Sequence, residues 1–393
     1  METRDVVIVS YARTPFCKAN RGLLKDTRPD TLAALAIEAA MERAPGLKPE
    51  EVEDVIIGCA MPEGEQGMNV ARIAALMAGL PDSVPAMTVN RFCSSGLQSV
   101  SQIAERIMLG AIDVGIAGGT ESMSMVPMGG NKPSANPELM KENPGVYIPM
   151  GATAENVAKR FEVSREEQDA FALRSHTRAV DAWERGFMQG EVIPVETEVI
   201  NHDGAVQKIT VSKDDGPRPS TTLEKLARLP TVFDRKNGSV TPGNSSPLTD
   251  GAAAIVLMSK EKADELGLEI LGYYRGFQVA GVDPEIMGIG PVAAVEKLLK
   301  KHDMTVDDID LYEVNEAFSS QSVYSAKKLG LDMDKVNVNG GALALGHPLG
   351  VSGTRMTGTL LRALEEQDGR FGVVTMCIGG GMGAAGLFER VKK

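Results

Sequence analysis

Residues 86–119 read AMTVNRFCSSGLQSVSQIAERIMLGAIDVGIAGG. AMTVN is a short apolar run that ends in a polar turn. Leu97, Val100, Ala104 and Ile107 then recur at helical spacing until Gly110, and DVGIAGG is apolar again. A strand, a sharp turn, a helix and a second strand in that order predict an α/β unit. The same alternation runs upstream. DVVIVS (5–10) and DVIIGCA (54–60) read as strands, while Leu32, Leu35, Ala36 and Ala39, and then NVARIAALMAGL (69–80), read as helices. The pattern predicts a mostly parallel sheet with helices on both faces.

The last third repeats the theme. IDLYEVNEAF (309–318) resembles EDVIIGCAMPE (53–63), KVNVNGGALALGHPLGVSG (335–353) resembles AMTVNRFCSSG, and FGVVTMCIGGG (371–381) resembles DVGIAGGTES. Three matched strand-then-turn elements in one order predict a duplicated α/β unit. Between the copies, 123–248 changes character. Pro, Gly and Asn cluster in 125–151, a helix opens with a Ser164/Glu167 capping box and closes at Gly186, and a polar stretch carries Arg218, Lys225 and Arg228. This region is expected to be an insertion.

The chain has 393 residues, enough for two or three domains. A net charge of -12 argues against general binding to nucleic acid or acidic membrane, though a few local cations would suffice for a small anion. No apolar run reaches membrane-spanning length, the N-terminus lacks a signal-peptide layout, and FERVKK is not a peroxisomal address. Cys17, Cys59, Cys93 and Cys377 are scattered, which favours a reducing cytoplasm over a disulfide framework.

Cys93 stands where the chain turns from strand to helix. A small buried apolar residue is the plain reading. A helix N-terminus, however, favours thiolate, and such turns expose one side chain at the sheet edge where ligands bind. His347 lies between glycines and before Pro348, placed to take a proton from a thiol. His176, His202 and His302 read as structural or solvated. Asn315 is either an orienter of water or a helix N-cap. Cys377 ends an apolar strand, and the glycines after it suit N–H groups that hold an oxyanion. The formal G-x-G-x-x-G of Gly381, Gly383 and Gly386 has too little chain after it for a dinucleotide site. No metal-ligand spacing occurs.

NRFCSSGLQS, GGTESMS, GNSSPLTDGAAA, VNEAFSSQ, GGALALGHPLG and CIGGGMGAAG, taken together and in order, resemble the thiolases from end to end. The resemblance implies two α/β halves in a five-layered αβαβα arrangement with an inserted loop domain. By analogy the N-terminal half is 1–122 plus 249–273, the loop domain 123–248 and the C-terminal half 274–393. It implies thiolysis of 3-oxoacyl-CoA by CoA, with Cys93 as nucleophile, His347 as base, Cys377 as acid and base, and Asn315 holding a water. The N–H groups of Cys93 and Gly379 would form an oxyanion hole.

Coenzyme A is implied as a substrate lying on the loop domain, with Arg218 at the nucleotide, Ser246 at the pantetheine and Met150 lining its tunnel. No prosthetic group is required, and a homodimer or homotetramer is expected. CSSGLQ and Pro149 resemble degradative 3-ketoacyl-CoA thiolases of β-oxidation; a biosynthetic acetyl-CoA acetyltransferase is the alternative. A ketoacyl-carrier-protein synthase would want a second histidine at Asn315. A non-catalytic acyl-CoA carrier is the alternative of another class, and pairing of Cys93 with Cys377 under oxidation is a further expectation.

Overall fold

The computed structural model describes residues 3–200 and 204–390. Its main strands are β1 (Val6–Arg13), β2 (Asp54–Gly58), β3 (Ala86–Val89), β4 (Val114–Ser122) and β5 (Thr249–Ser259), then β6 (Gly272–Gly281), β7 (Leu311–Val314), β8 (Phe371–Ile378) and β9 (Met382–Glu389). They run side by side in the order β7-β8-β9-β6-β1-β5-β4-β2-β3.

The sheet is mixed, which corrects the expectation of a mostly parallel one. Only β2–β3, β2–β4 and β7–β8 pair parallel; β4–β5, β5–β1, β1–β6, β6–β9 and β9–β8 are antiparallel. Helical crossovers give parallel pairs only where they join adjacent strands. Here β5 re-enters after the long insertion, and β9 follows β8 directly through the turn at Gly379–Gly381. Gly380 and Gly381 adopt φ +80° and +83°, so two strands fit where the sequence suggested one strand and a tail.

The duplication is visible in the pairing. One half runs β3-β2-β4-β5-β1. The other runs β7-β8-β9-β6, with an isolated parallel bridge from Tyr312 to Val336 standing where β3 stands. Val55 pairs with Ala86 and Ile116, as Tyr312 pairs with Val336 and Val373. The half-sheets are joined along β1 and β6 through Val6–Tyr274, Val7–Tyr273 and Ile8–Gly272.

Helix α1 (Pro29–Glu42) and α2 (Val70–Met77) cover the outer face of the first half. Helix α3 (Ser95–Met108) lies on its inner face, against α9 (Ser352–Glu366) of the second half, whose outer face is covered by α6 (Gly290–Lys301). This is the five-layered arrangement. All eleven residues of β5 are buried, because helices cover both faces of the sheet. At the centre, α3 and α9 touch backbone to backbone. A Cβ on Gly353 would lie 2.2 Å from the Leu97 nitrogen, and one on Gly96 would lie 2.6 Å from Thr354 Oγ1. Only glycine permits this approach, and it brings the N-termini of both helices together.

Because Gly272–Gly281 is one strand paired to β9, a division at 273 falls inside β6. The strand pairing divides the halves before Gly272. The inserted region holds more regular structure than its Pro- and Gly-rich composition suggested. Helix α4 (Met150–Arg160) follows Pro149, α5 (Arg165–Glu184) carries the Ser164/Glu167 capping box, and Val195–Ile200 pairs with Val206–Val211. Arg13 of β1 bonds Glu191 at 3.0 Å and Asp214 at 2.8 Å, all fully buried, so an ion cluster anchors the insertion to the first strand. Two further helices, α7 (Ser319–Leu329) and the one-turn α8 (Ala342–Leu345), carry the segments that lead into the site.

Candidate active site

Cys93 sits on a single 3₁₀ turn, Phe92–Ser94, between β3 and α3. Phe92 has φ +43°, strained for an aromatic residue. Neighbours hold the strain in place. Asn90 Oδ1 accepts the Phe92 N–H at 2.8 Å, and Ser95 Oγ accepts the Arg91 N–H at 2.9 Å while donating to the Phe92 carbonyl at 2.7 Å. Cys93 is 6% exposed and packs with Ala19, Ala60, Met123 and Leu349.

The backbone N–H groups of Gly379 and of Cys93 itself bond the Cys93 sulfur and favour its charge, but burial outweighs them and pushes the thiol up to about 11. The resting group is therefore the thiol whose proton His347 is expected to take. The helix end is present, yet desolvation dominates at a sulfur so little exposed.

His347 lies between α8 and α9 and is fixed on three sides. Its backbone N–H donates to Thr249 Oγ1 at 3.1 Å, Nδ1 lies 2.6 Å from Ser352 Oγ, and Nε2 lies 3.2 Å from Asn315 Nδ2. The amide nitrogen only donates, so Nε2 accepts and the ring proton sits on Nδ1. Ser352 then accepts from Nδ1 and donates to the Pro348 carbonyl at 3.2 Å. Burial, and then the charge of Arg355, push the imidazole down to about 3, so it is neutral with a lone pair on Nε2.

Asn315 is not a helix cap; α7 starts after Phe318, with no side-chain cap. Its Oδ1 is buried and has no partner among the described residues, an acceptor able to hold a water.

Cys377 ends β8, fully buried among Ala154, Val240, Met287, Ala317 and Phe318. Its thiol is pushed well up by burial and then by the charge of Cys93, which places the two sulfurs within each other's field. All four cysteines are free. Met150, the first residue of α4, packs beside Cys377, and its Sδ would lie 3.4 Å from a Cβ on Gly379. Ser246 is tied to the Asn315 loop, its N–H and Oγ both 3.0 Å from the Ala317 carbonyl, so the hydroxyl is engaged within the protein.

Arg218 stands apart from this centre. It is exposed on the rim of a cleft of about 170 Å³ lined also by Lys18, Lys225, His176, Pro247 and Leu343. Leu343, on α8 four residues before His347, and Pro247, next to Ser246, are the lining residues nearest in sequence to the buried centre. His176 Nδ1 accepts the Arg218 N–H at 3.3 Å, and burial and then the Arg218 charge push its imidazole down to about 4. It is thus a satisfied histidine, as expected, but one that shapes the cleft. His302 follows α6, half-buried, and His202 lies outside the described residues.

Sequence reading missed Thr249, Ser352 and Lys18. Ser352 carried a signal, since a hydroxyl five residues after His347 falls in the first turn of the following helix. Thr249 lay within the quoted GNSSPLTDGAAA without being singled out, and Lys18 carried no signal.

Comparison with known proteins agrees with this arrangement. Residues 6–261 match the model of the thiolase N-terminal domain, and residues 268–390 that of the thiolase C-terminal domain. The chain is 52% identical over 390 residues to a 3-ketoacyl-CoA thiolase of Bacillus subtilis, covering 98% of this chain and 99% of that one. The acetyl-CoA acetyltransferase of Bacillus anthracis superposes with a TM-score of 0.90 at 42% identity, over 99% and 100% of the two chains. The dimeric peroxisomal thiolase of Saccharomyces cerevisiae does so with 0.89 at 40%, over 99% and 98%. Family models that match both halves of the chain, and a relative 52% identical over nearly its whole length, show that this chain belongs to the thiolase family.

Proposed function

We propose that this chain cleaves 3-oxoacyl-CoA with CoA, giving acetyl-CoA and an acyl-CoA two carbons shorter, by way of a thioester on Cys93. The observation that carries the reading is the convergence on one buried sulfur of two N–H donors, Cys93 and Gly379, with a second thiol from the other half in its field. His347 Nε2 takes the Cys93 proton as the sulfur attacks the 3-keto carbon. The C2–C3 bond then breaks, and its electron pair forms the enolate of acetyl-CoA. Donors at the developing oxyanion lower that barrier, here the imidazolium and a water held by Asn315. Cys377 gives its proton to the enolate carbon.

In the second half-reaction Cys377 takes the proton of incoming CoA, and the CoA sulfur attacks the thioester. The N–H groups of Cys93 and Gly379 hold the tetrahedral oxyanion. The Cys93 sulfur leaves and regains its proton from His347. Each proton passes between a named side chain and a substrate atom, or between Cys93 and His347, so the reading calls for no prosthetic group.

Coenzyme A belongs in the cleft rimmed by Lys18, Arg218 and Lys225, three cations suited to its phosphates, with the pantetheine passing Ser246 and Met150. In the same reading, residues 123–248 are a loop domain between two thiolase halves. The degradative direction, in fatty-acid β-oxidation, is favoured by the name of the relative at 52% identity and by Pro149 before Met150. The acetyltransferase direction shares the equilibrium.

The chain should form a homodimer or a tetramer of such dimers. Strand β3 is a sheet edge, and Met87 on it, Ile73, Leu76 and Met77 on α2, and Phe92 are exposed apolar residues. A cytoplasmic location rests on the four free cysteines.

Loss of the absorbance of Mg²⁺-complexed acetoacetyl-CoA on adding CoA tests the reaction. No CoA-dependent loss would instead favour a non-catalytic acyl-CoA carrier. Rates across a series of 3-oxoacyl chain lengths then separate the degradative from the acetyltransferase reading.

A further inference from the structure

We propose that Glu121 is a positioning residue for the chemistry at Cys93. One buried carboxylate fixes the two stretches of backbone that wall the nucleophile, one from each half of the fold. The inference rests on Cys93 being that nucleophile.

Glu121 lies near the end of β4 and is fully buried. Its Oε2 accepts the N–H of Ala60 and the N–H of Gly350, each at 2.8 Å. Its Oε1 accepts Gln66 Nε2 at 2.5 Å and the Met61 N–H at 3.2 Å, with the Cys59 sulfur 3.8 Å away. Among the described residues no Lys or Arg pairs with it. Four N–H donors and the Cys59 thiol hold the charge.

Those donors belong to the walls of the nucleophile. Ala60 and Leu349 both pack against Cys93; Ala60 follows β2 in the first half, while Leu349 and Gly350 follow His347 in the second. The carboxylate therefore sets the spacing between the Cys93 turn and the His347 loop. Its reach extends further, because the Ala60 carbonyl accepts Asn90 Nδ2 at 3.0 Å and Asn90 Oδ1 holds the strained Phe92. Gly350 has no room to compensate by moving. A Cβ there would lie 2.8 Å from the Cys59 Cα and 2.8 Å from Glu121 Oε2.

A carboxylate is needed because each oxygen takes two N–H donors. An amide has one accepting atom, so Gln in its place strands at least two buried donors whichever way it turns. The choice carries a penalty, since the negative charge of Glu121 opposes ionisation of Cys93. That gives the role a signature beyond packing.

The test is Glu121→Gln, folded as judged by its melt, assayed for thiolysis and for alkylation of Cys93 by iodoacetamide at pH 9, read by mass spectrometry. The expected result is a kcat at least tenfold lower, a KM for CoA within twofold of wild type, and Cys93 alkylation at least threefold faster because a repelling charge is gone. A kcat within threefold of wild type, or alkylation unchanged or slower, overturns the proposal. Should Glu121→Gln not fold, Gln66→Met carries the test, since it keeps the charge and removes one donor to it, together with the Gln66 bonds to the Ser122 N–H and the Met61 carbonyl. It is expected to lower kcat severalfold with alkylation unchanged, and a wild-type kcat overturns the proposal. Retained turnover in Cys93→Ala would remove the nucleophile reading itself, whereas an inactive Cys93→Ala beside a wild-type-like Glu121→Gln removes only the positioning role.

Discussion

The protonation of the resting nucleophile can be read from its alkylation. With its thiol pushed up to about 11 by burial, Cys93 lies well above a free cysteine near 8.5. At neutral pH its thiolate fraction is then about 300-fold smaller. A more basic sulfur is a better nucleophile, and with a Brønsted slope of about 0.4 that returns about tenfold. Iodoacetamide should therefore modify Cys93 roughly 30-fold more slowly than it modifies a free thiol at pH 7, before any loss from poor access. Because the acid form is neutral and the base form charged, the rate should rise with pH through 8, 9 and 10 without levelling. Peptide mapping after timed alkylation from pH 6 to 10, with glutathione as the internal standard, measures it. A plateau below pH 8, or a rate at pH 7 matching glutathione, would show a thiolate at rest and refute the argument that burial outweighs the helix end. If the rate behaves as expected, proton transfer to His347 accompanies attack on the substrate and does not precede it.

Ser352→Ala removes the acceptor of the His347 Nδ1 proton, so kcat for thiolysis should fall about tenfold or more while the melting temperature stays within a few degrees. A wild-type kcat would mean the tautomer is held by other means. His347 and His176 are buried neutral, pushed down to about 3 and about 4, whereas in the unfolded chain both bind a proton below about 6.5. The unfolded state then takes up more protons as pH falls. Stability should drop from pH 6.5 toward 4 with a slope of up to about 2.7 kcal/mol per unit from these two groups. Urea titrations at pH 7, 6 and 5 read it, and a flat profile would contradict it. Gly353→Ala puts a carbon 2.2 Å from the Leu97 nitrogen and should destabilise by about 1–3 kcal/mol or separate α3 from α9. An unchanged denaturation midpoint would show that the central helices are not in register contact.

Legibility in the sequence followed the range of the interactions. The strand and helix of 86–119 were readable because apolar spacing and the stop at Gly110 act within a few residues. The three matched segments 53–63, 86–96 and 113–122 against their later copies were readable because duplication leaves its order in the chain, and the pairing of Val55 and Tyr312 shows the match to be in register. Strand direction was not readable. Nothing local in TDGAAAIVLMS tells β5 that it returns antiparallel after a 126-residue insertion. Nor was the state of Cys93: its turn says helix end, but the desolvation that decides its charge comes from Met123 and Leu349, which are distant in sequence. The tie between Asn315 and His347 is equally long-range and displaced the plain reading of Asn315 as a cap.

The duplication also explains why the chemistry is lopsided. By the pairing register, Tyr312 corresponds to Val55 and Val373 to Ile116, so Asn315 corresponds to Gly58 and Cys377 to Thr120. Gly58 can carry no side chain. A Cβ there would lie 2.4 Å from the Ser95 carbonyl carbon, where α3 begins directly behind Cys93. Thr120 is committed to structure, its hydroxyl donating to the Pro29 carbonyl at 2.7 Å. The half that holds the nucleophile against its own sheet thus has no space at these positions for an amide or an acid. The second half opens with α8 and the His347 loop in place of a tight turn, and there the equivalent positions are free to hold Asn315 and Cys377. Back-to-back contact at Gly96 and Gly353 sets the two strand-end edges against one centre, so a site drawn from both halves follows from the stacking. Restoring a side chain at Gly58 should therefore displace Ser95 and the Cys93 turn even though Gly58 touches no substrate. Gly58→Ala should lose acyl labelling of Cys93 from an acyl-CoA, and full labelling in that variant would break the link between packing behind the turn and the reactivity in front of it.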